Sequence, residues 1–400
     1  MMYFTVEKKD CTGCSACEQI CPIKCVSMVR DEEGFLYPVA NDSCIHCGKC
    51  ARVCPIQHDQ ASASVTARQA YAAKTKSREI WGRSASGGAF SEICLAWNQI
   101  TDKCSFVGAA WNDLYVEHKV VASPDNLEMI CKSKYVNSDI GRVFSDIESL
   151  LSNNQGVVFC GTPCQVAGLK AYLGEKQNNQ NLLLIDFICH GVGSPIVFKE
   201  AMNIIGEQLG DKVVSYEFRS KRKIYETDYL TKVDLKRGKS VYMLKDQYMQ
   251  LFLSQNILRP SCGKNCKFRN EQRQGDLTIA DFKGLIKVFP QLKGYKQNYS
   301  TIVVNSEQGK KVIDHLRGHM TLLECDISDI KKYNPLFYRQ TKFSETRDQF
   351  FNDFEKNPKC AIKKWTTNAQ IARKNVVKVC YELMPVSVRK VIYNLREKKS

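Results

Sequence analysis

Two stretches decide how this chain is read: Cys11-Thr12-Gly13-Cys14-Ser15-Ala16-Cys17-Glu18-Gln19-Ile20-Cys21-Pro22 and Cys44-Ile45-His46-Cys47-Gly48-Lys49-Cys50-Ala51-Arg52-Val53-Cys54-Pro55. Each is Cys-x2-Cys-x2-Cys-x3-Cys-Pro, so eight cysteines fall in two identical spacings. The two-residue gaps let one loop set three thiolates around the corners of an iron–sulfur cube. Zinc needs only four ligands and does not explain two four-cysteine runs each closed by Cys-Pro. Gly13 and Gly48 suit tight turns whose N–H groups point at cluster sulfides, and Pro22 and Pro55 turn the chain away.

This is the spacing of bacterial ferredoxins, in which the fourth cysteine of each run ligates the other run's cluster. The assignment is therefore crossed: Cys11, Cys14, Cys17 and Cys54 for one [4Fe–4S] cluster, and Cys44, Cys47, Cys50 and Cys21 for the second. Cys25 stands in no motif position and reads as a spare buried thiol. Residues 31–38 read as a turn and a short strand, and the small residues 61–67 as a linker. The expected division is a ferredoxin-type domain over 1–60, a linker over 61–75, a larger domain over 76–356 and a tail over 357–400.

The remaining composition is ordinary, with 44% hydrophobic and 25% charged residues among 400, so cysteine, at 20, is the outlier. The first ten residues carry charge where a signal peptide needs an apolar stretch, so a cytoplasmic protein is expected. There, clustered cysteines bind metal or do redox chemistry rather than form structural disulfides. The apolar run at 182–189 contains Asp186 and is too short to span a bilayer. Net charge is +16, yet residues 1–60 carry 6 basic and 8 acidic side chains, while 357–400 carry 11 basic and 2 acidic. In that tail Val388, Val391, Ile392 and Leu395 recur at helical spacing among Arg389, Lys390, Arg396, Lys398 and Lys399. Such a helix either packs on the domain with a solvated cationic face, touches the inner face of a membrane peripherally, or docks an acidic redox partner. No nucleic-acid-binding signature accompanies the charge, so nucleic acid is not an expected partner.

Beyond residue 70, apolar runs alternate with amphipathic stretches, which predicts a mixed α/β (α+β or α/β) domain. Strands are expected at 106–110, 157–160, 182–188, 229–235, 241–244, 277–280 and 301–304, and helices at 89–99, 146–151, 196–205 and 247–255. Neither a G-x-G-x-x-G fingerprint nor a P-loop is present. Ser84-Ala85-Ser86-Gly87-Gly88 opens into a helix, either as a phosphate cradle or as an ordinary capped turn. Gly161-Thr162-Pro163-Cys164-Gln165 lies between a strand and a helix, where α/β proteins place ligands.

Ser86-Gly87-Gly88, Lys132-Ser133-Lys134-Tyr135, Gly161-Thr162-Pro163-Cys164-Gln165, Cys189-His190-Gly191, Arg259-Pro260-Ser261-Cys262 and Gly275-Asp276 to Asp281-Phe282 together resemble, in the same order, the coenzyme F-420 hydrogenase/dehydrogenase beta-subunit family. The resemblance covers roughly residues 1–310 and implies an iron–sulfur flavoprotein oxidoreductase, linked to ferredoxin or to a deazaflavin coenzyme. It would move electrons from ferredoxin or another redox protein through clusters to FAD and a small organic acceptor. It further implies a third [4Fe–4S] cluster on Cys164, Cys189, Cys262 and Cys266, although Cys262-x3-Cys266 departs from the expected Cys-x2-Cys. Flavin contacts are expected from Ser86, Gly87, Gly88, Ser133, Lys134, Tyr135, Gly161, Thr162, Pro163 and Asp281. Asp281 either binds a ribose hydroxyl or caps a turn; His190 either donates a proton to substrate or shapes the cluster pocket. Two other readings stay open: an electron-transfer subunit with no substrate of its own, and a cluster-binding structural or assembly protein without flavin.

Overall fold

A computed structural model of the chain describes residues 6–58, 69–221, 230–243, 246–263, 266–292, 298–339 and 344–366, with 384 and 388 singly. The small-residue stretch 61–67, Cys380 and, Val388 apart, the basic helix expected at the C-terminus lie outside the described residues.

Thirteen strands are described: β1 Val26–Arg30, β2 Leu36–Ala40, β3 Ala70–Thr75, β4 Cys104–Asn112, β5 Tyr115–Val121, β6 Gly156–Cys160, β7 Leu182–Phe187, β8 Val213–Ser220, β9 Leu230–Leu235, β10 Ser240–Met243, β11 Leu277–Asp281, β12 Ser300–Val304 and β13 Met320–Cys325. In the small N-terminal unit β1 pairs antiparallel with β2, Val26 opposite Ala40. The sequence repeat recurs in the backbone. Gly13 (φ 66°) and His46 (φ 55°) precede the second cysteine of each run, and Ser15 (φ 61°) and Gly48 (φ 70°) follow it, all left-handed. Gly13 and Gly48 thus relieve different bends, and His46 and Ser15 hold the conformation that glycine would take freely.

The larger unit is a mixed eight-stranded sheet in the order β13-β3-β12-β11-β7-β6-β4-β5. Strands β4, β6, β7 and β11 run parallel at its centre, and the other neighbours pair antiparallel. Parallel neighbours need a crossover, and the helix Pro163–Leu173 supplies it between β6 and β7. Strand alternation sorts side chains between two layers. Phe106, Val158, Leu183 and Ile185 face the helices Ala89–Thr101 and Glu307–Leu316, whereas Val107, Phe159, Leu182 and Leu184 face Val143–Ser152 and Pro163–Leu173. Burial on both sides explains why these strands read as near-continuous apolar runs. A second core joins the antiparallel sheet β10-β9-β8 to the helices Pro195–Leu209, Gln247–Leu253, Arg347–Lys356 and Pro358–Thr366.

Two expected boundaries are corrected. The linker over 61–75 stops before residue 70, because Ala70–Thr75 is the buried strand β3 between β12 and β13. Its Ala70, Ala72 and Ala73 have the small side chains of a linker, but here they fit a strand covered on both faces. The expected start of the tail at 357 does not hold, since Pro358–Thr366 is a helix that buries Ala361 and Ile362 in the second core while Lys359, Lys363 and Lys364 contribute to the basic count.

The carboxylate of Asp186, fully buried on β7, organises the segment that feeds β11. It accepts from Arg273 Nη2 at 3.0 Å, Thr278 Oγ1 at 2.6 Å and the backbone N–H groups of Gln274 and Gly275. Removing one member of a buried pair leaves the other uncompensated. Asp186→Ala is therefore expected to cost about 3–5 kcal/mol, measured as a fall in the denaturant midpoint; a loss below about 1 kcal/mol would show that the network is dispensable.

Candidate functional site

Cysteines of the first run meet cysteines of the second. Cys11, Cys14, Cys17 and Cys54 line one cavity of about 340 Å³, which Cys50 also borders. Cys14 is pushed up to about 12 by burial, with the Cys11 and Cys54 thiols adding to the effect, and Cys17 is raised for the same reasons. N–H groups of Ala16, Glu18, Ile56 and Gln57 point at the sulfurs of Cys14, Cys17 and Cys54. That is the backbone arrangement that stabilises cluster-bound thiolates. In the other group Cys50 is raised by burial and by Cys44 and Cys47, and Cys47 is exposed. Cys25 is buried, and its Sγ lies 3.4 Å from Cys21 Sγ, beside a candidate ligand.

Cys164, Cys189, Cys262 and Cys266 converge on a second cavity, of about 40 Å³. Local sequence explains the position of Cys164. Thr162 caps the helix Pro163–Leu173, Pro163 occupies its first turn, and the Thr162–Gln165 pair closes a capping box. Cys189 follows β7, and Cys262 ends the short turn Pro260–Cys262. Arg269 Nη2 donates to His190 O at 2.9 Å and to the carbonyls of Cys189 and Cys262 at 3.4 Å, drawing the two segments together. Burial pushes Cys189 up to about 12 and Cys262 to about 11. Among the described residues, no three His, Cys, Asp or Glu side chains close on a single metal ion. The four thiolates of a cubane each bond a different iron and stand further apart. The donor set and the directed N–H groups fit clusters.

A cavity of about 410 Å³ opens at the carboxyl ends of the parallel strands, where Cys160, Phe187 and Asp281 lie. Open α/β sheets bind ligands at this edge. Ser86, Gly88, Ser133, Lys134, Tyr135, Gly161, Thr162, His190 and Asp281 all line it. Two expected contacts do not. The N–H of Gly87 donates to Ser300 Oγ at 2.9 Å, and a Cβ on it would stand 2.2 Å from Ala73 O, so Gly87 serves close packing against the sheet. Pro163 borders the thiol cavity instead. The helix Ala89–Thr101 has no side-chain cap, and Ala89, Phe90 and Ser91 of its first turn line the large cavity, an arrangement that accepts anions.

Charge and orphaned polar atoms also face this space. Asp281 Oδ2 pairs with Arg219 at 2.7 Å, while its Oδ1 is buried without a partner among the described residues. His190 Nε2 is likewise unpartnered; burial and then the cations Arg269 and Lys283 hold the imidazole below its usual range. Lys134 donates to Cys131 O at 2.7 Å, and burial brings its ammonium down to about 8. The cavity lies within the size range of organic cofactor sites, and its polar groups fit a flavin. Sequence reading missed His118, whose Nε2 is 3.3 Å from Cys160 O, and Lys221, which donates at 2.7 Å to Trp81 O and Ser86 O and so pins the Ser86 loop. Arg219-Ser220-Lys221 alternates basic residues at the end of a strand, the one local signal for them.

Residues 154–330 match the family model for the C terminus of the coenzyme F420 hydrogenase/dehydrogenase beta subunit, and residues 10–58 match the 4Fe-4S dicluster domain. A chain of the F420-reducing [NiFe] hydrogenase complex from Methanosarcina barkeri aligns over 76% of this chain and 94% of its own, at 13% identity and a TM-score of 0.46. No curated protein matches.

Lys134 is charged at a cost to the fold. Below pH 8 it is protonated in both the native and unfolded chains, and the buried charge is unfavourable; between about 8 and 10.5 the native state loses the proton first and the penalty disappears. Lys134→Met should therefore stabilise the cofactor-free protein near pH 7 by up to about 3 kcal/mol, and this gain should vanish by pH 10.5, as read from denaturant midpoints across that range. A gain independent of pH would assign the effect to packing.

Proposed function

The chain belongs to the coenzyme F420 hydrogenase/dehydrogenase beta-subunit family and is an electron-transfer iron–sulfur protein, and we propose that it is a reductase delivering electrons from a ferredoxin-class donor to FAD and a small organic acceptor. One observation carries this reading. Thr162, Gln165, Cys189, Gly191 and Val192 line both the four-thiol cavity and the large cavity, so the two share a wall. On the far side, Thr12, next to Cys11, borders the same thiol cavity. Clusters carry electrons singly and a flavin accepts one or two, so the combination converts between the two regimes.

The residues take roles by chemistry and position. Cys11, Cys14, Cys17 and Cys54, then Cys21, Cys44, Cys47 and Cys50, hold the two ferredoxin-type clusters, and Cys164, Cys189, Cys262 and Cys266 a third. The uncapped first turn after Gly88 and the loop at Ser86 receive a phosphate. Lys134 sets positive charge against the flavin, and Asp281, oriented by Arg219, accepts from a ribose hydroxyl through Oδ1. His190 presents Nε2 to the acceptor as a proton donor. Among the described residues no helix is long and apolar enough to cross a membrane.

Anaerobic purification and quantification of flavin released on denaturation should give about one FAD per chain. A preparation with intact clusters that neither contains nor takes up FAD would overturn the flavin reading.

A further inference from the structure

Arg259 is among the largest fully buried side chains of the molecule, at 1% exposure. Each group its guanidinium touches among the described residues is neutral. Nε donates to Cys11 O at 2.8 Å, Nη2 to Leu36 O at 2.8 Å and Nη1 to Asn137 Oδ1 at 3.4 Å, while the group lies 4.3 Å from the Tyr37 ring centre and 5.4 Å from that of Phe35. Among the described residues no carboxylate pairs with it. A buried, unpaired cation is costly, and folded proteins hold one only where something negative compensates it. A candidate cluster ligand, able to become negative, lies against it: Nη2 stands 3.8 Å from Cys11 Sγ. Gly13 leaves the room, because a Cβ there would come within 2.8 Å of Nη1.

We propose that Arg259 is the fixed counter-charge of the centre held by Cys11, Cys14, Cys17 and Cys54, and that it raises this centre's reduction potential above that of its neighbour on Cys21, Cys44, Cys47 and Cys50. This rests on the reading that both cysteine groups hold clusters. Reduction adds one negative charge, and a cation within a few ångströms in a dry interior favours the reduced form strongly. A cation beside the other group is of less weight. Arg52 donates to Cys47 O at 3.2 Å, but it is exposed, and water and salt screen it. Lys267, reaching Ile56 O at 2.9 Å, adds positive charge on the Cys54 side. Transfer from the outer to the inner centre oxidises one and reduces the other by one electron, with no bond made and no proton moved; a ferredoxin-class donor resupplies the electron. Arg259 itself forms and breaks no bond in the transfer. Its charge makes inward flow, from the exposed Cys47 side toward the thiol cavity that Arg259 also borders, the downhill direction.

The test is an EPR-monitored redox titration of the full-length protein, with iron and sulfide counted in each sample. Wild type should show two ferredoxin-type potentials separated by at least a tenfold difference in reduced-to-oxidised ratio, about 59 mV for one electron. Cys47→Ser should disturb only the lower one and Cys17→Ser only the upper. Arg259→Gln should lower the upper potential and leave the other in place, and Arg259→Lys, which keeps the charge, should lower it less. Coincident potentials in wild type, or an Arg259→Gln protein with full cluster content and an unmoved upper potential, would overturn the proposal. Should Arg259→Gln fail to retain its clusters, the wild-type separation and the two serine variants decide. Wild type without iron and sulfide would defeat the cluster reading itself.

Discussion

A single buried guanidinium joins the parts of this molecule that have to work together. Arg259 reaches the cysteine loop at Cys11, the β2 strand at Leu36 and the loop at Asn137, and its own N–H donates to Val192 beside the thiol cavity. The N-terminal unit is consequently tied to the larger one by polar contacts. Further ties act in the same sense. Gln19 Oε1 accepts from the N–H groups of Phe144 and Ser145, Ser194 Oγ donates to Glu33 O at 2.6 Å, and Arg347 pairs with Glu33. Gly168 completes the fit, because a Cβ there would press within 2.8 Å of Cys14 Cβ.

These contacts set the order of the sites. The helix Pro163–Leu173 carries Cys164 at its first turn and Gly168 one turn later, so one element touches both the Cys14 loop and the second thiol cavity. Cys189 and His190 then lead from that cavity into the large one. Two polar atoms without a partner among the described residues, Asp281 Oδ1 and His190 Nε2, face this space together with the buried ammonium of Lys134, which donates to Cys131 O. A fold keeps such groups where a ligand completes them.

Much of the architecture was legible because its signals are local. The parallel strands announced themselves as apolar runs, and Thr162-Pro163-x-Gln165 announces a helix start by capping chemistry. What was missed depended on context. Ala70–Thr75 resembles a linker until its neighbours on both sides are known, and Pro358–Thr366 resembles a charged tail until Ala361 and Ile362 are seen to be buried. Gly87 reads as a phosphate-binding glycine, yet the approach of Ala73 O and Ser300 is what excludes a side chain.

By itself the sequence determined the eight-cysteine repeat and the mixed α/β character of the rest, because spacing, period and turn chemistry act over a few residues. Only the tertiary structure decided that the thiols of 164, 189, 262 and 266 line one cavity, that this cavity shares a wall with the one of about 410 Å³, and that Arg259 lies buried against Cys11 without a carboxylate among the described residues. Those facts join segments up to 248 residues apart. Proximity across such distances is set by packing and by the need to compensate buried charge.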